Sequence, residues 1–318
     1  MVASGADPIE TQRAVESPGE ATPTFGGFAD AFVEAQAVGF RNGKHIDQWK
    51  MTLTTYAAKL RPLPIDEIST DDVLAVLTPI WQTKSETASR LRGRIERVLD
   101  AAKARGLRSG ENPARWRGHL SLLLSKRQKL TRGHHRALDY KNVPEFLREL
   151  QSRNGSSRWA LEFLILTAAR SGEVRYATWN EIDRDNKMWT IPAERMKAGR
   201  VHRVPLTGRM LEILDAVQGS SRETNHIFGG SRLGRPLTDA ALSNLLKRMG
   251  VLDATVHGFR SAFRDWVGDA TDTPREVAEA ALAHAVGDAT ERAYRRNDAF
   301  EKRRLLMEAW EKFCMAAS

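Results

Sequence analysis

The sequence predicts a mainly helical protein of two domains, an all-helical one followed by an α+β domain with a small β-sheet. Three observations predict it. The chain has 318 residues, more than one domain of roughly 100–200 residues usually holds, so two units joined by a linker are expected. Apolar residues recur at helical spacing through most of the chain. Period-two alternation, the mark of half-buried strands, is confined to two neighbouring segments, 187–192 (KMWTIP) and 201–206 (VHRVPL).

Taken in order, residues 1–23 are rich in Gly, Pro, Ser, Thr, Ala and acidic side chains with little periodicity, which predicts a disordered tail. Thr24 suits the N-cap of a helix carrying Phe28, Phe32 and Ala35. Helical patterns follow near 43–60, 70–82 and 84–105, with a shorter one near 117–126, so that 24–127 reads as a small helical domain. Segment 128–139 lacks apolar periodicity and reads as the linker. Its paired His134 and His135 have no Cys or carboxylate cluster at ligand spacing, so they are expected as exposed linker histidines and not as metal ligands.

From residue 140 the pattern is mixed. Helices are expected near 142–151 and 156–169, with a third starting at Ser171. The two alternating segments then form a β-hairpin across the polar connection AERMKAGR, with Lys197 near its tip. Helices are expected again near 208–217, 238–249, 256–268, 274–282, 288–295 and 298–314, which makes 140–318 an α+β domain with few strand residues. On the last helix, Leu306, Trp310 and Phe313 form an apolar stripe that packs onto its own domain or onto a neighbouring protomer.

Bulk properties narrow the function. Hydrophobic residues make up 41% of the chain, and no apolar run approaches the roughly 18 residues of a membrane span, so no membrane association is expected. Met1 to Pro23 has neither the apolar core of a secretory signal nor the Arg-rich pattern of a transit peptide, and a cytoplasmic, nucleoid-associated protein is expected. The lone Cys314, between Phe313 and Met315, rules out an intrachain disulfide and a cysteine-cluster metal site, and reads as helix packing. Lys and Arg outnumber Asp and Glu by 49 to 40, which favours a polyanionic partner. The excess crowds one stretch: Arg90, Arg92, Arg94, Arg97, Lys103, Arg105, Arg108, Arg115, Arg117, Lys126, Arg127, Lys129, Arg132 and Arg136. Of these, Arg90, Arg94, Arg97, Lys126, Arg127, Lys129 and Arg132 are the candidates for phosphate-backbone contact.

Motifs for nucleotide hydrolysis, dinucleotide binding, serine hydrolysis and zinc proteolysis are all absent. What remains is a scatter of cationic and tautomeric groups: TAARSGEV around Arg170, Lys197 in the hairpin, HGFR from His257 to Arg260, LAHAV around His284, and AYRR around Tyr294. Such a set suits a phosphodiester. Arginines grip nonbridging oxygens through paired hydrogen bonds, while histidine and lysine move protons. His257 and Arg260, three apart, fall on one helical face.

The order Arg, Lys, His-x-x-Arg, His, Tyr, with these flanks, resembles the catalytic domain of tyrosine recombinases. The resemblance is strongest to integrases of prophages and genomic islands, through HGFRSAFRDW, EVAEAALAH, AYRRND and RRLLMEAW, and spans about residues 140–314. Residues 24–127 resemble the family's helical core-binding domain more loosely. Many prophage integrases begin with a further domain that binds arm-type sites, and here only the short tail stands in its place, so arm-site binding is not an expectation.

The resemblance implies a catalytic set of Arg170, Lys197, His257, Arg260, His284 and Tyr294, with Arg200, His202 or Arg203 as alternatives in the role of Lys197, Glu173 orienting an arginine, and no metal or other cofactor. It implies a Tyr294 nucleophile, a 3′-phosphotyrosyl intermediate, double-stranded attachment sites as substrate, a tetramer on DNA, and accessory bending and directionality factors as further partners. Integration or excision of a mobile element would follow. Two other readings share the fold: a type IB topoisomerase, which relaxes supercoils without exchanging strands, and a DNA-binding regulator that has lost the chemistry.

Overall fold

The computed structural model describes residues 22–37, 39, 43–126, 136–219, 225–230, 234–284 and 298–316. The expected tail (but for residues 22 and 23), the linker residues 128–135 with His134 and His135, and the helix expected near 288–295 lie outside the described residues. So do Arg127, Lys129, Arg132 and Tyr294. The chain divides into two compact units, Met1–Thr131 and Arg132–Ser318.

The described residues of the first unit form the long helices α1 (Phe25–Ala37), α2 (Gly43–Thr55), α3 (Thr70–Trp81) and α4 (Ser85–Ala104). Thr24 acts as expected, its Oγ1 accepting from Gly27 N at 3.2 Å. Ser69 and Asp72 form a capping box at the start of α3. Buried Phe25, Trp49, Leu53, Leu77, Leu91, Ile95 and Leu99 make one core. Helix α2 stops short of its expected end near 60 because the chain turns back there. Carbonyls of Arg61 and Leu63 accept from Gly26 N at 2.9 Å and Phe25 N at 2.8 Å, satisfying the first amides of α1. A side chain at Gly26 would lie 2.9 Å from Arg61 O, so only glycine fits that approach. The helix expected near 117–126 is replaced by an irregular turn, Trp116–Leu120, and a three-residue piece, Ser121–Leu123. Arg117 is extended (ψ 130°) and Gly118 left-handed (φ 66°), which breaks the hydrogen-bond ladder.

The second unit is built around α6 (Ser156–Thr167), whose Leu161, Phe163, Leu164, Ile165 and Leu166 are all buried. Preceded by α5 (Val143–Gln151), it is followed by the short α7 (Ser171–Arg175) and by strands β1 (Ile182–Asp183), β2 (Met188–Ile191) and β3 (His202–Pro205). The sheet runs β1-β2-β3 and is antiparallel, pairing Ile182 with Trp189 and Ile191 with His202. The expected hairpin is present, and β1 extends it to three strands. Helices α8 (Gly208–Gln218), α9 (Ala241–Arg248), α10 (Gly258–Ala270), α11 (Arg275–Ala281) and α12 (Phe300–Cys314) complete the unit.

Helix α12 packs on its own unit. Leu306 and Trp310 are 3% and 0% exposed. Trp310 donates to Ile165 O at 2.9 Å and contacts Phe263, Trp266 and Phe313. Buried Arg303 donates to Asp298 and to the Arg203 carbonyl, while Glu311 accepts from Arg209 N at 2.9 Å at the start of α8. Of the two surfaces expected for the stripe, the structure shows the protein's own domain: Leu306 and Trp310 are buried in its core and Phe313 packs against it. Cys314 is buried there as expected.

Candidate active site

Arg170 follows a strained turn. Helix α6 ends at Ala168, which adopts the left-handed conformation (φ 49°, ψ 26°), and Arg170 then becomes the N-cap of α7. Glu173, one turn on, accepts from the Arg170 backbone N at 2.8 Å through one oxygen and from Arg170 Nη1 at 2.7 Å through the other. That buried carboxylate sets both the backbone and the guanidinium of Arg170.

Arg260 reaches the same place from α10. The helix can start where it does because Gly258 sits against the backbone of Arg136 and Ala137; a Cβ there would lie 2.3 Å from Arg136 O. Arg260 is 4% exposed. Its Nη1 donates to the Ala168 carbonyl that the left-handed turn turns inward, and its Nη2 donates to Leu282 O at 2.7 Å. The same Nη2 lies 3.2 Å from His284 Nε2. Burial first, and the neighbouring Arg170 second, lower its pKa to about 10, which leaves it a cation at neutral pH.

His284 follows the end of α11 and another left-handed alanine, Ala283 (φ 50°). Its Nδ1 lies 2.7 Å from Glu279 Oε2, and Arg264 donates to the other oxygen of Glu279 at 2.6 Å. Beside it opens a cleft of about 410 Å³ lined by Met196, Ala198, Arg200, Val201, His202, Ala280, Ala283 and His284. The β2–β3 connection thus faces His284 across this cleft, with Lys197 exposed between two of its lining residues. His202 on β3 has its pKa lowered to about 4, by burial first and by Arg303 next. It is neutral at physiological pH.

Of the expected site residues, Arg170, Glu173, Arg260 and His284 are linked through direct bonds, the Ala168 turn and charge. Among the described residues, Lys197 has no bond to any of them, and His257 stands exposed at the N-cap of α10. Two residues, Arg195 and Glu279, were not singled out by sequence. Arg195, in the β2–β3 connection, donates to the carbonyls of Glu173 and Tyr176 and, at 2.6 Å, to Glu181, tying the Lys197 loop to the Arg170 helix. His202, which the sequence offered as an alternative to Lys197, opens β3 and lines the cleft. Glu279 stands in the quoted EVAEAALAH, and only its i, i+5 spacing from His284 could have marked it.

The candidate phosphate-contact residues of the first unit fare differently. Arg94 is a correction: it is 6% exposed, donates to Gln48 O at 2.7 Å and to Thr52 Oγ1, and lies over the Trp49 ring. A guanidinium buried against an internal carbonyl and a hydroxyl is not available to a phosphate. Arg90 is exposed but pairs with Glu86 at 2.9 Å, whereas Arg97 and Lys126 are exposed.

Comparisons with known proteins match this architecture. Residues 25–119 fit the model of the phage integrase central domain, and residues 136–301 that of the phage integrase family. Prophage integrase IntA of Escherichia coli K12 is 29% identical over 325 residues, covering 100% of this chain and 76% of that protein. The putative protein IntB of the same organism is 29% identical over 269 residues, covering 78% of this chain and 66% of that protein. Among solved structures, a lambda integrase tetramer bound to a Holliday junction superimposes with a TM-score of 0.64 at 18% identity, covering 91% of this chain and 84% of that one. The Tn1549 transposon integrase in complex with circular intermediate DNA gives 0.63 at 15% identity, covering 90% and 99%. At those identities the structures speak for the fold. The family model spans 136–301, more than half of the chain and all of the cationic cleft, and on that ground the chain belongs to the phage integrase family.

Proposed function

We propose that this chain is a site-specific DNA recombinase that cleaves and rejoins strands through a 3′-phosphotyrosyl intermediate, with Arg170, Lys197, His257, Arg260, His284 and Tyr294 as its catalytic set. One observation carries the reading. Arg170 and Arg260 come from distant parts of the sequence to the same Ala168 turn, where the charge of Arg170 adds to burial in lowering the pKa of Arg260. Two cations held together by dedicated carboxylates and carbonyls are costly until an anion arrives between them. A DNA phosphate is the anion that the basic charge balance and the family both favour.

In this reading the Tyr294 hydroxyl attacks the phosphorus in line: the Tyr–O–P bond forms and the bond to the 5′-oxygen breaks. An ordinary tyrosine, with pKa about 10, is only roughly 0.1% ionised at neutral pH, so His257 is assigned to accept its proton. Lys197 protonates the departing 5′-oxygen. A neutral His202 supports that assignment, since an imidazole with pKa about 4 holds almost no proton to give. Arg170 and Arg260 stabilise nonbridging charge, and His284 bonds a nonbridging oxygen. Attack by a 5′-hydroxyl of a partner duplex reverses the step in a recombined configuration, with no energy source consumed. Attachment-site duplexes, a tetramer on DNA, and bending and directionality factors are the proposed partners, at the bacterial nucleoid.

The test uses a duplex selected from a random pool by binding to the full chain. Tyr294→Phe is expected to retain binding and to yield no covalent protein–DNA adduct on a denaturing gel. Adduct formation by that variant would move the nucleophile elsewhere, with Tyr176 next to be tried. Relaxation of plasmids without the selected site would favour a topoisomerase, and no adduct from the wild-type chain would favour a silent regulator.

A further inference from the structure

We infer that Glu279 is a positioning residue of the site proposed above: it fixes the tautomer of His284 and so determines which ring nitrogen meets the phosphate. The inference rests on that reading of the cleft, and its geometry is separate. Glu279 is 8% exposed, on α11, with both oxygens engaged. Burial works against its ionisation, but bonds from His284 and Arg264 outweigh it and hold the carboxyl below its ordinary pKa.

An ionised carboxylate only accepts hydrogen bonds, and a guanidinium only donates them. Glu279 Oε2 at 2.7 Å from His284 Nδ1 therefore requires a proton on Nδ1. Arg260 Nη2 at 3.2 Å from Nε2 requires a lone pair on Nε2. The opposite tautomer would set two donors face to face at Nε2 and two acceptors face to face at Nδ1, losing both bonds. The backbone reinforces the choice: His284 N donates to Glu279 O at 2.9 Å, closing a five-residue turn that seats the ring beside the carboxylate. Charged and titratable groups facing the ring are Arg260 and Arg264 from α10, Glu279 from α11, and Arg200 and His202 across the cleft.

With Nδ1 occupied, Nε2 is the atom turned towards Arg260 and the phosphate that Arg260 would hold; it bonds a nonbridging oxygen by taking up a proton from solvent as the phosphate enters, while Nδ1–H stays on Glu279. Without Glu279 the ring is free to take the Nε2–H tautomer, whose proton collides with the Arg260 guanidinium, so both phosphate ligands shift together. A competing role, in which Glu279 merely neutralises Arg264, predicts no change at His284.

The experiment compares E279A, E279Q, R264A, H284A and E279A/H284A in the full chain. Imidazole ¹⁵N spectra of histidine-labelled protein without DNA report the tautomer, with His284 assigned from the signal lost in H284A. The Nδ1–H signature is expected in wild type, in R264A and in E279Q, whose amide oxygen still accepts, and is expected to vanish in E279A. Single-turnover adduct formation on the selected duplex should slow roughly 10–100-fold in E279A. Duplex affinity should stay within about twofold, E279Q should recover most of the rate, and E279A/H284A should be no slower than H284A. An Nδ1–H signal that persists in E279A, or effects of E279A and H284A that multiply, would overturn the inference. If E279A does not fold, E279M, similar in volume, takes its place. If H284A forms adduct at the wild-type rate, the reading of the cleft fails, and the DNA-free spectra still decide what Glu279 does.

Discussion

Helix α4 in the first unit and the α7, α10 and α11 segments in the second both concentrate arginines, and they dispose of the charge differently. Along α4, Arg90, Arg92 and Arg94 are satisfied within the unit, and Arg97 is left on the exposed face. Arg90 and Arg92 pair with Glu86 and Glu96 one turn away, and Arg94 turns inward to Gln48 O and Thr52. Around the cleft, Arg170 and Arg260 are braced on one side by Glu173 and by the carbonyls of Ala168 and Leu282, yet remain neighbours of like charge. The first arrangement stabilises a fold. The second keeps an electrostatic cost that Glu173 and Glu279 offset in part and an incoming anion would relieve further, so arginine density alone does not tell a binding surface from a core.

The strongest test of that contrast is kinetic. Arg170→Ala and Arg260→Ala should each slow adduct formation on the selected duplex about 10²–10³-fold, by analogy with removal of a preorganised oxyanion donor. Duplex affinity should change far less. If Arg97→Ala, on the exposed face of α4, slows cleavage as much at saturating DNA, the division between the two regions is wrong.

His202 gives a pH test of the burial and, after it, the positive charge that surround the cleft. Its folded pKa of about 4 lies below the ordinary 6.5, so between those values the unfolded chain binds a proton that the folded chain refuses. Stability is therefore full above pH 6.5 and falls as pH drops towards 4, by roughly 3 kcal/mol at 1.36 kcal/mol per unit. Denaturant melts of wild type and of His202→Gln across this window should show a steeper acid loss in wild type. Parallel curves would mean that His202 is not held neutral by its surroundings.

Arg94 supplies the matching test in the first unit. Arg94→Ala removes two internal hydrogen bonds and a contact with Trp49, and should cost about 1–3 kcal/mol in denaturant unfolding. Arg97→Ala, exposed, should stay within about 0.5 kcal/mol while lowering DNA affinity and flattening its dependence on salt. Reversal of the pair, with Arg94→Ala the weaker binder and fully stable, would return Arg94 to the DNA surface.

How much of this was legible follows from what each signal encodes. The long apolar run of α6 and the alternation of β2 and β3 are read directly from period, because burial on all sides or on one face leaves a pattern. Strand β1 has two residues, too few to alternate, and Gly118 breaks an expected helix through one left-handed residue that apolar spacing does not reveal. The stripe of Leu306 and Trp310 announced a buried face without saying which surface covers it. Arg170, Arg260 and His284 were marked by their motifs. Arg195 and Glu279 were not, since their roles depend on bonds to carbonyls and side chains that chain order alone does not bring near.

The smallest effect sharpens the comparison most finely, because it concerns the backbone beneath the cleft arginines. Ala168 and Ala283 both sit at positive φ, 49° and 50°, just before Arg170 and His284, a conformation costing an L-residue roughly 1–2 kcal/mol. Ala168→Gly removes that strain but adds unfolded-state entropy worth about 0.4–1 kcal/mol. The net change should lie between zero and about 1.6 kcal/mol of stabilisation. Ala160→Gly, in the buried middle of α6, has no strain to release and should cost about 1 kcal/mol or more through helix propensity and the lost methyl. Denaturant unfolding of the two variants separates them by sign. If Ala168→Gly destabilises as much as Ala160→Gly, the turn that directs the Ala168 carbonyl onto Arg260 is relaxed, and the cost of holding the two arginines together lies in their charge alone.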